Sequence, residues 1–386
     1  MIPIKIKLKP QDFIVNELVN LDIEKEGEFG LYILKKEGYG TIEILKLLSK
    51  KLNIPFSYFS YGGRKDKHSQ STQYITIKTK EQFNIERSTY SLKFLGYTKK
   101  PMQPAFIVKN EFKIVVRNLD RGLEEKVIKS IEDVKNFGYP NYFDDQRFGC
   151  FDRRSGFLAE KILKRHYSGA LKIYLTSFRG KDTIKDKERK KFFFKNWGNW
   201  KICLERAKTE YEKYVFSFLR ENPKSFIFLL QRIPKQEMSL FFSAYQSYLW
   251  NILIKRIIKE TVKENLKSYK GLIEDYIFYE KLNEQNLFLK GLIIPLPAKK
   301  TNMPEQFDNL YKKILEEKQI KPSSFDNRKI RQAFFKPIPR FVVATPSNIN
   351  YEFLDDEIYK GKIKLVLGFG LPRGCYATMF IKRLFS

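Results

Sequence analysis

Only two histidines, His68 and His166, occur in the 386 residues. That leaves too few imidazoles for a histidine-rich metal centre or a conventional zinc hydrolase. The three cysteines, Cys150, Cys203 and Cys375, are far apart and form no CxxC pair. They support neither a disulfide framework nor a zinc ribbon, and a reducing compartment is expected. No run of 18 apolar residues is present, and residues 1–9 alternate apolar and basic side chains without the apolar stretch of a signal peptide. A cytoplasmic protein with no membrane contact is the expectation. Gly368, Gly370 and Gly374 form GxGxxxG, with Arg373 where a dinucleotide fingerprint has glycine, so no nucleotide loop is read. His68 lies beside Ser69 and Ser71, but adjacency is not triad geometry and there is no GxSxG elbow; a hydrogen-bonded structural histidine is expected there.

Acidic residues are also in deficit, 44 against 73 Lys and Arg, which leaves a net charge of +29 spread along the whole chain. A surplus of that size points to a polyanionic partner, although it speaks to affinity and not to fold. Compositional bias of a genome also produces lysine-rich chains, so the aromatics are the sharper signal. The chain has 34 Phe, 22 Tyr and 3 Trp. Rings interleaved with Lys and Arg offer flat faces for unstacked bases and cations for phosphates, the combination that splayed-out RNA needs. Most of these rings still belong to the core. A 42% hydrophobic and 30% charged composition is that of a globular enzyme or binder. The length favours two domains over one.

Up to Arg117 the pattern is short and strand-rich. Ile2, Ile4, Ile6 and Leu8 alternate, Tyr74 and Thr76 alternate with Ile75 and Ile77, and Phe112, Ile114 and Val116 recur at two-residue steps, with a helix over 40–52 between them. This is α+β chemistry with a mixed or antiparallel sheet. Beyond Gly149, helical patterns cover 154–165 and 238–260. In the second, Phe241, Tyr245, Tyr248 and Ile252 define one buried face, and Pro234 stands where it can open the helix. Alternation returns at Ile363, Leu365 and Leu367, and a further strand is expected from Tyr376 to Ile381. Both ends of the chain therefore build one sheet domain, residues 1–152 with 331–386, around a domain inserted over 153–330. Lys321-Pro322-Ser323-Ser324 reads as a loop near the second boundary.

Asp66 follows Gly62-Gly63 and reads on spacing alone as a turn residue; it is also a carboxylate among Arg64, Lys65 and Lys67, cations that favour its charged form. Phe143 reads equally as a core ring and as a stacking face, and Phe148 as core. Asp12, Glu17, Asp144 and Asp145 raise the idea of a two-metal nuclease. No spacing rule joins them, and salt bridges to neighbouring cations are preferred. Residues 179–201 hold nine basic and three acidic residues with Phe192, Phe193, Phe194, Trp197 and Trp200 among them. They read as an RNA-facing surface or, equally, as a buried strand flanked by solvated lysines. Lys99, Lys100, Lys109 and Arg117 form a second candidate phosphate track.

Four ordered stretches resemble the tRNA pseudouridine synthase D (TruD) family. Residues 62–68, GGRKDKH, followed by Ser71, Gln73 and Tyr74, look like its catalytic motif; residues 141–149, NYFDDQRFG, resemble its second signature; residues 7–17, KLKPQDFIVNE, its N-terminal one; and residues 371–378, LPRGCYAT, its closing segment. Residues 243–251, SAYQSYLWN, match the family's insertion domain more loosely. Lys382-Arg383 stand where the family usually has an acidic residue, and Asp144 where a small one commonly follows.

The resemblance implies a pseudouridine synthase core, an α+β domain with a mixed, bifurcated sheet, plus an inserted α+β domain of TruD type. It implies an isomerase that converts uridine, at position 13 of tRNA, to pseudouridine without cofactor or metal. By resemblance, Asp66 is the catalytic aspartate and Lys7 the basic residue that pairs with it. Phe143, Asn141, Lys65, Arg147 and Gln73 are the substrate-binding set, with Phe143 stacking on the target base. The partner implied is tRNA, with no membrane and no small-molecule cofactor, and the protein is expected to be a monomer. The alternative is a non-catalytic RNA-binding or ribosome-assembly factor on the same fold.

Overall fold

Segments of β-branched and aromatic residues at alternate positions pair into one mixed sheet, nine-stranded among the described residues. The computed structural model describes residues 5–180, 182–331 and 334–386, so Ile2, Ile4 and Lys181 of the patterns above lie outside the described residues. The strands are β1 (Phe13–Val19), β2 (Phe29–Lys36), β3 (Phe59–Tyr61), β4 (Gln70–Ile77), β5 (Ile85–Glu86), β6 (Tyr90–Thr98), β7 (Ile107–Leu119), β8 (Ser347–Asp355) and β9 (Ile363–Pro372). Their order is β8-β9-β7-β1-β4-β2-β6-β5, with β3 also on β4. Only β1 and β4 run parallel; the other pairs are antiparallel.

The sheet forks along β4. Residues 70–72 of β4 pair with 14–16 of β1, whereas residues 75–77 pair with 59–61 of β3 on the same edge. Along its other edge, β4 stays paired with β2 from residue 71 to 77. At the crotch the Tyr74 N–H donates to Glu17 Oε2 at 3.1 Å, a side chain bond that replaces the missing strand partner.

Helix Thr41–Leu52 covers this half of the sheet. It follows Gly40, carries Lys50 and Lys51 in the last turn, where cations complement the helix dipole, and stops at Asn53 in the left-handed region. Ile44, Leu45 and Leu48 are buried against Tyr32, Leu34, Ile75 and Ile77. The strand expected at 376–381 is instead the helix Ala377–Leu384. Its buried residues, 377–381 and 383–384, include the short apolar run Met379-Phe380-Ile381 that period cannot assign, and the left-handed Gly374 turns the chain out of β9 just before it. Phe380 packs edge-on to Phe369 of β9 and stacks on Tyr139.

The chain divides into two compact units, residues 1–139 with 344–386, and residues 140–343. The division falls outside the limits read from the sequence because residues 141–149 find their partners within 140–343, as described below. The second unit is mostly helical, with two-stranded sheets of 266–269 with 276–279 and of 293–295 with 339–341. Its longest helix, Lys235–Thr261, starts directly after Pro234 and buries side chains on more than one face, among them Phe241, Phe242, Tyr245, Gln246, Leu249, Trp250 and Leu253. It is a spine through the unit and not a surface helix with a single buried stripe. No helix among the described residues is long and apolar enough to cross a membrane.

Residues 192–194 are helical and not a strand. Thr183 and Asp186 form a capping box that starts helix Ile184–Lys195. Phe193 is buried against Phe216, and Phe194 lies under Lys172 and Arg154, whose cationic groups are 4.0 and 4.4 Å from its ring centroid. The lysines at 185, 187, 191 and 195 are exposed on the same helix.

Candidate active site

Residues 62–69 form the loop from β3 to β4, so the fork carries this segment between its arms. The loop begins with Gly62, where a Cβ would meet Ile107 Cδ1 at 2.6 Å and Met102 Cε at 2.9 Å. A side chain there would have to push these two buried side-chain ends aside. Thr41, at the start of the helix, then ties the loop down. Its hydroxyl accepts from Lys65 N–H and donates to Gln73 Oε1, both at 2.8 Å.

Asp66 lies near the middle of this loop. Lys7 Nζ donates to Asp66 Oδ2 at 2.5 Å, with the two side chains 13% and 33% exposed. The His68 backbone N–H donates to Oδ1 at 3.2 Å, and Ser69 Oγ donates to the Asp66 carbonyl at 2.9 Å. Burial alone would raise the Asp66 carboxyl, yet the Lys7 ammonium and the His68 N–H hold it below the usual carboxylate value. The result is a partly accessible carboxylate that stays ionised. Lys7 reaches it from a left-handed backbone, φ 58°, with its ammonium 4.4 Å from the Phe13 ring centroid. His68 itself is exposed, so it contributes a backbone N–H and not a hydrogen-bonded structural imidazole.

The cations next to Asp66 in sequence point elsewhere. Lys65 Nζ pairs with Glu17 Oε1 at 2.8 Å and donates to Asn110 Oδ1. Lys67 approaches Glu43 at 3.7 Å, and Arg64 is exposed. Gln73 is fully buried. The cation that approaches from beneath is Lys36 on β2, 2% exposed, whose Nζ donates to the carbonyls of Tyr39 at 2.7 Å and Asp66 at 3.1 Å. Sequence reading missed Lys36. The β2 alternation places it on the face of Tyr32 and Leu34, and a lysine in register with buried residues was the available signal.

Of the carboxylates weighed as metal ligands, Asp12, Glu17 and Asp145 are engaged with protein donors. Arg117 grips Asp12 through two nitrogens at 2.8 and 2.9 Å and Asp356 at 3.0 Å. Being 4% exposed, Arg117 is no part of a surface phosphate track. Lys99 and Lys109 pair with Glu24 and Glu111. Asp145 accepts from Tyr276 Oη and Leu272 N–H at 2.8 and 2.9 Å.

In the second unit, one face of the spine helix holds the 141–149 signature. Ser247 accepts from Arg147 Nε at 3.2 Å, Trp250 Nε1 donates to the Asn141 carbonyl at 3.0 Å, and Asn251 exchanges two 2.8 Å bonds with the Phe143 backbone. These residues lie at i, i+3 and i+4, the spacing that shares a helix face. Asn141 is 2% exposed; its side chain donates to the Phe341 carbonyl at 2.9 Å and accepts from Arg340 at 2.6 Å. The Phe143 ring is 7% exposed, with the Arg340 guanidinium 4.1 Å and that of Arg147 5.6 Å from its centroid. Phe148 is core, 3% exposed. Arg340 is the residue here that sequence reading missed, nearly 200 positions from its partners and in no motif.

This architecture is a known one: the crystal structure of a TruD-family protein from Methanosarcina mazei matches with a TM-score of 0.72 at 24% identity, covering 98% of this chain and 92% of that one. It fixes the class as a mixed α+β fold of this type. The family model for tRNA pseudouridine synthase D (TruD) matches residues 2–384. "Probable tRNA pseudouridine synthase D 1" of Methanococcus maripaludis is 34% identical over 99% of both chains. "Probable tRNA pseudouridine synthase D 2" of Methanocaldococcus jannaschii is 32% identical over 99% of this chain and 91% of its own. The "tRNA pseudouridine synthase D" of Aquifex aeolicus is 29% identical over 99% and 98%. The chain belongs to the tRNA pseudouridine synthase D family, and its reaction class is that of an isomerase.

Proposed function

We propose that the protein isomerises uridine 13 of tRNA to pseudouridine with Asp66 as the reacting carboxylate. The observation that carries this reading is the 2.5 Å Lys7–Asp66 pair, which keeps a half-buried carboxylate charged at the centre of the motif loop. In the reaction the N1–C1′ bond of the nucleotide breaks, the base turns, C5 bonds to C1′, and the proton leaving C5 is matched by one taken up at N1. Nothing is oxidised and no water is consumed. Attack at C1′ and proton abstraction toward a glycal both call on an ionised carboxylate, and Lys7 supplies the charge that keeps Asp66 in that form.

The unit of residues 1–139 and 344–386 is then the catalytic one, and residues 140–343 the inserted one. Extruding the uridine costs a few kcal/mol, and stacking on an aromatic ring returns roughly 1–3 kcal/mol. Phe143 is the proposed ring. Because it is 7% exposed, stacking calls for a side chain shift as tRNA binds, and the Arg340 guanidinium over its face is the group that yields. Asn141 keeps the signature in place for that exchange, and Arg147 braces the ring. Lys65 and Gln73 serve the substrate through the loop they hold. The net charge of +29 supports a phosphate-rich partner, and the three free cysteines suit a cytoplasmic setting.

The test treats one unmodified tRNA transcript, without metal or cofactor, with wild type and with Asp66→Asn, and maps pseudouridine by carbodiimide adduct and primer extension. A stop assigned to position 13 with wild type alone supports both assignments. Binding of tRNA without any new pseudouridine would overturn them in favour of the non-catalytic RNA-binding factor.

A further inference from the structure

Lys36 combines features that packing alone does not explain. A buried ammonium is costly to keep away from water unless it is paired. Among the described residues no carboxylate forms a salt bridge with Lys36, and its two recorded acceptors are the carbonyls of Tyr39 and Asp66. Those carbonyls sit on different segments. Tyr39 belongs to the turn between β2 and helix Thr41–Leu52, and Asp66 to the loop between β3 and β4. The ammonium therefore bridges two segments at the residue whose carboxylate faces Lys7.

The surroundings explain why the bridge carries a charge. Asp66 and Lys65 on the loop and Glu43 on the helix act on Lys36, and Ser71 of β4 and Tyr90 of β6 are its neighbours across the strands. Burial and Lys65 push the ammonium down to about 8, while Asp66 and Glu43 oppose this. Interaction between charges is reciprocal, so the cation favours the ionised form of Asp66 from behind as Lys7 does from in front. Thr41 and Ser69 fix the loop with neutral hydrogen bonds; Lys36 is the charged member of the set.

We propose that Lys36 is a positioning residue for Asp66, its ammonium holding the Asp66 carbonyl and thereby aiming and charging the carboxylate that reacts. This rests on Asp66 being the reacting group. It makes activity and stability diverge at Lys36. A methionine of similar length removes the cost of a buried charge but leaves the Tyr39 and Asp66 carbonyls without that donor, so stability changes little while the carboxylate loses its support. A small misplacement of a reacting group is enough to cost up to roughly 100-fold in rate.

The experiment measures kcat and KM for pseudouridine formation on the tRNA transcript for wild type, Lys36→Met, Lys36→Gln and Asp66→Asn, with thermal melts of each. The expected result is a fall in kcat of at least about 10-fold for Lys36→Met, with KM for tRNA nearly unchanged and a melting temperature that keeps the protein fully folded under assay conditions. The wild-type kcat is expected to fall above pH 8, and that alkaline limb to be missing from the residual activity of Lys36→Met. Wild-type kcat in a folded Lys36→Met protein overturns the proposal, as does a rise in KM together with a lower melting temperature. Should Lys36→Met fail to fold, Lys36→Gln is read by the same criteria. A wild type without activity condemns the Asp66 reading itself, whereas an active wild type, a dead Asp66→Asn and an unimpaired Lys36→Met condemn only the role of Lys36.

Discussion

Lys7 and Asp66, 59 positions apart, meet at 2.5 Å through a lysine whose backbone sits in the left-handed region. That conformation costs a non-glycine residue about 1–2 kcal/mol and persists only where its surroundings enforce it. Here the strained residue is the one that sets the charge of the loop carboxylate.

Replacing Lys7 with Met leaves the burial of Asp66 and removes its main counter-charge, so the carboxyl rises from its present depressed position. The acid limb of the kcat profile is expected to move to higher pH, with a rate loss of roughly 100-fold near neutrality. Stability follows the same sign. A depressed folded-state carboxyl contributes above its unfolded value and loses that contribution as pH falls through the folded one. Lys7→Met is therefore expected to flatten the decline in melting temperature on the acid side, read from melts between pH 3 and 6.

Gly62→Ala is expected to damage the loop, because the new Cβ falls 2.6 Å from Ile107 Cδ1. Overpacking of this kind typically costs 1–3 kcal/mol. Ile107→Ala in the same protein makes room and is expected to restore part of the activity. A double-mutant cycle in kcat reads the coupling, and additive losses would exclude the steric account.

Asn141→Ala strips Arg340 of one acceptor and the Phe341 carbonyl of its donor. Leaving buried polar groups unpaired costs about 1–3 kcal/mol. The unfolding midpoint of the variant is expected to fall by that order in denaturant titration. Phe143→Leu, which removes the ring but keeps the Asn251 backbone bonds, is expected to lower tRNA modification with a smaller change in the midpoint.

Arg117→Ala is expected to be among the most destabilising single changes in the first unit. It leaves Asp12 and Asp356 buried without their cation, and breaking such a pair typically costs 3–5 kcal/mol. Restoring a neutral core with Asp12→Asn in the same protein recovers part of the loss. The check is the denaturation midpoint of the single and double variants.

The parts of the fold visible in the sequence were those with long or clean periodicity. The helix at 41–52, the spine helix and the alternation of β4, β7 and β9 follow from apolar spacing. Residues 376–381 misled and 192–194 stayed open between two readings because short apolar runs carry no decisive period, and a capping box nine residues upstream outweighed the Phe triplet. Within the candidate site, the motif singled out Asp66 and Lys7, which do pair, but not the rest of the company Asp66 keeps. Arg64, Lys65 and Lys67 are its neighbours in sequence and none of them pairs with it, while Lys36 reaches its carbonyl from 30 positions away. Arg340 shares no motif with Asn141 and meets it only because the 339–341 strand returns beside it. Pairings of this range are set by tertiary packing, which one sequence does not display.

Building one sheet from both ends of the chain also sets a timetable for synthesis. Asp120, just after β7, and its salt-bridge partner Lys362, just before β9, are 242 residues apart. At about 5–20 residues per second, a ribosome needs roughly 10–50 s to cross that interval. For all of it β7 has β1 on one side and an open edge on the other, and before it ends the whole of residues 140–343 has been made. The later-starting unit is thus free to finish first, and the nascent chain must shelter an unpaired strand until β9 arrives.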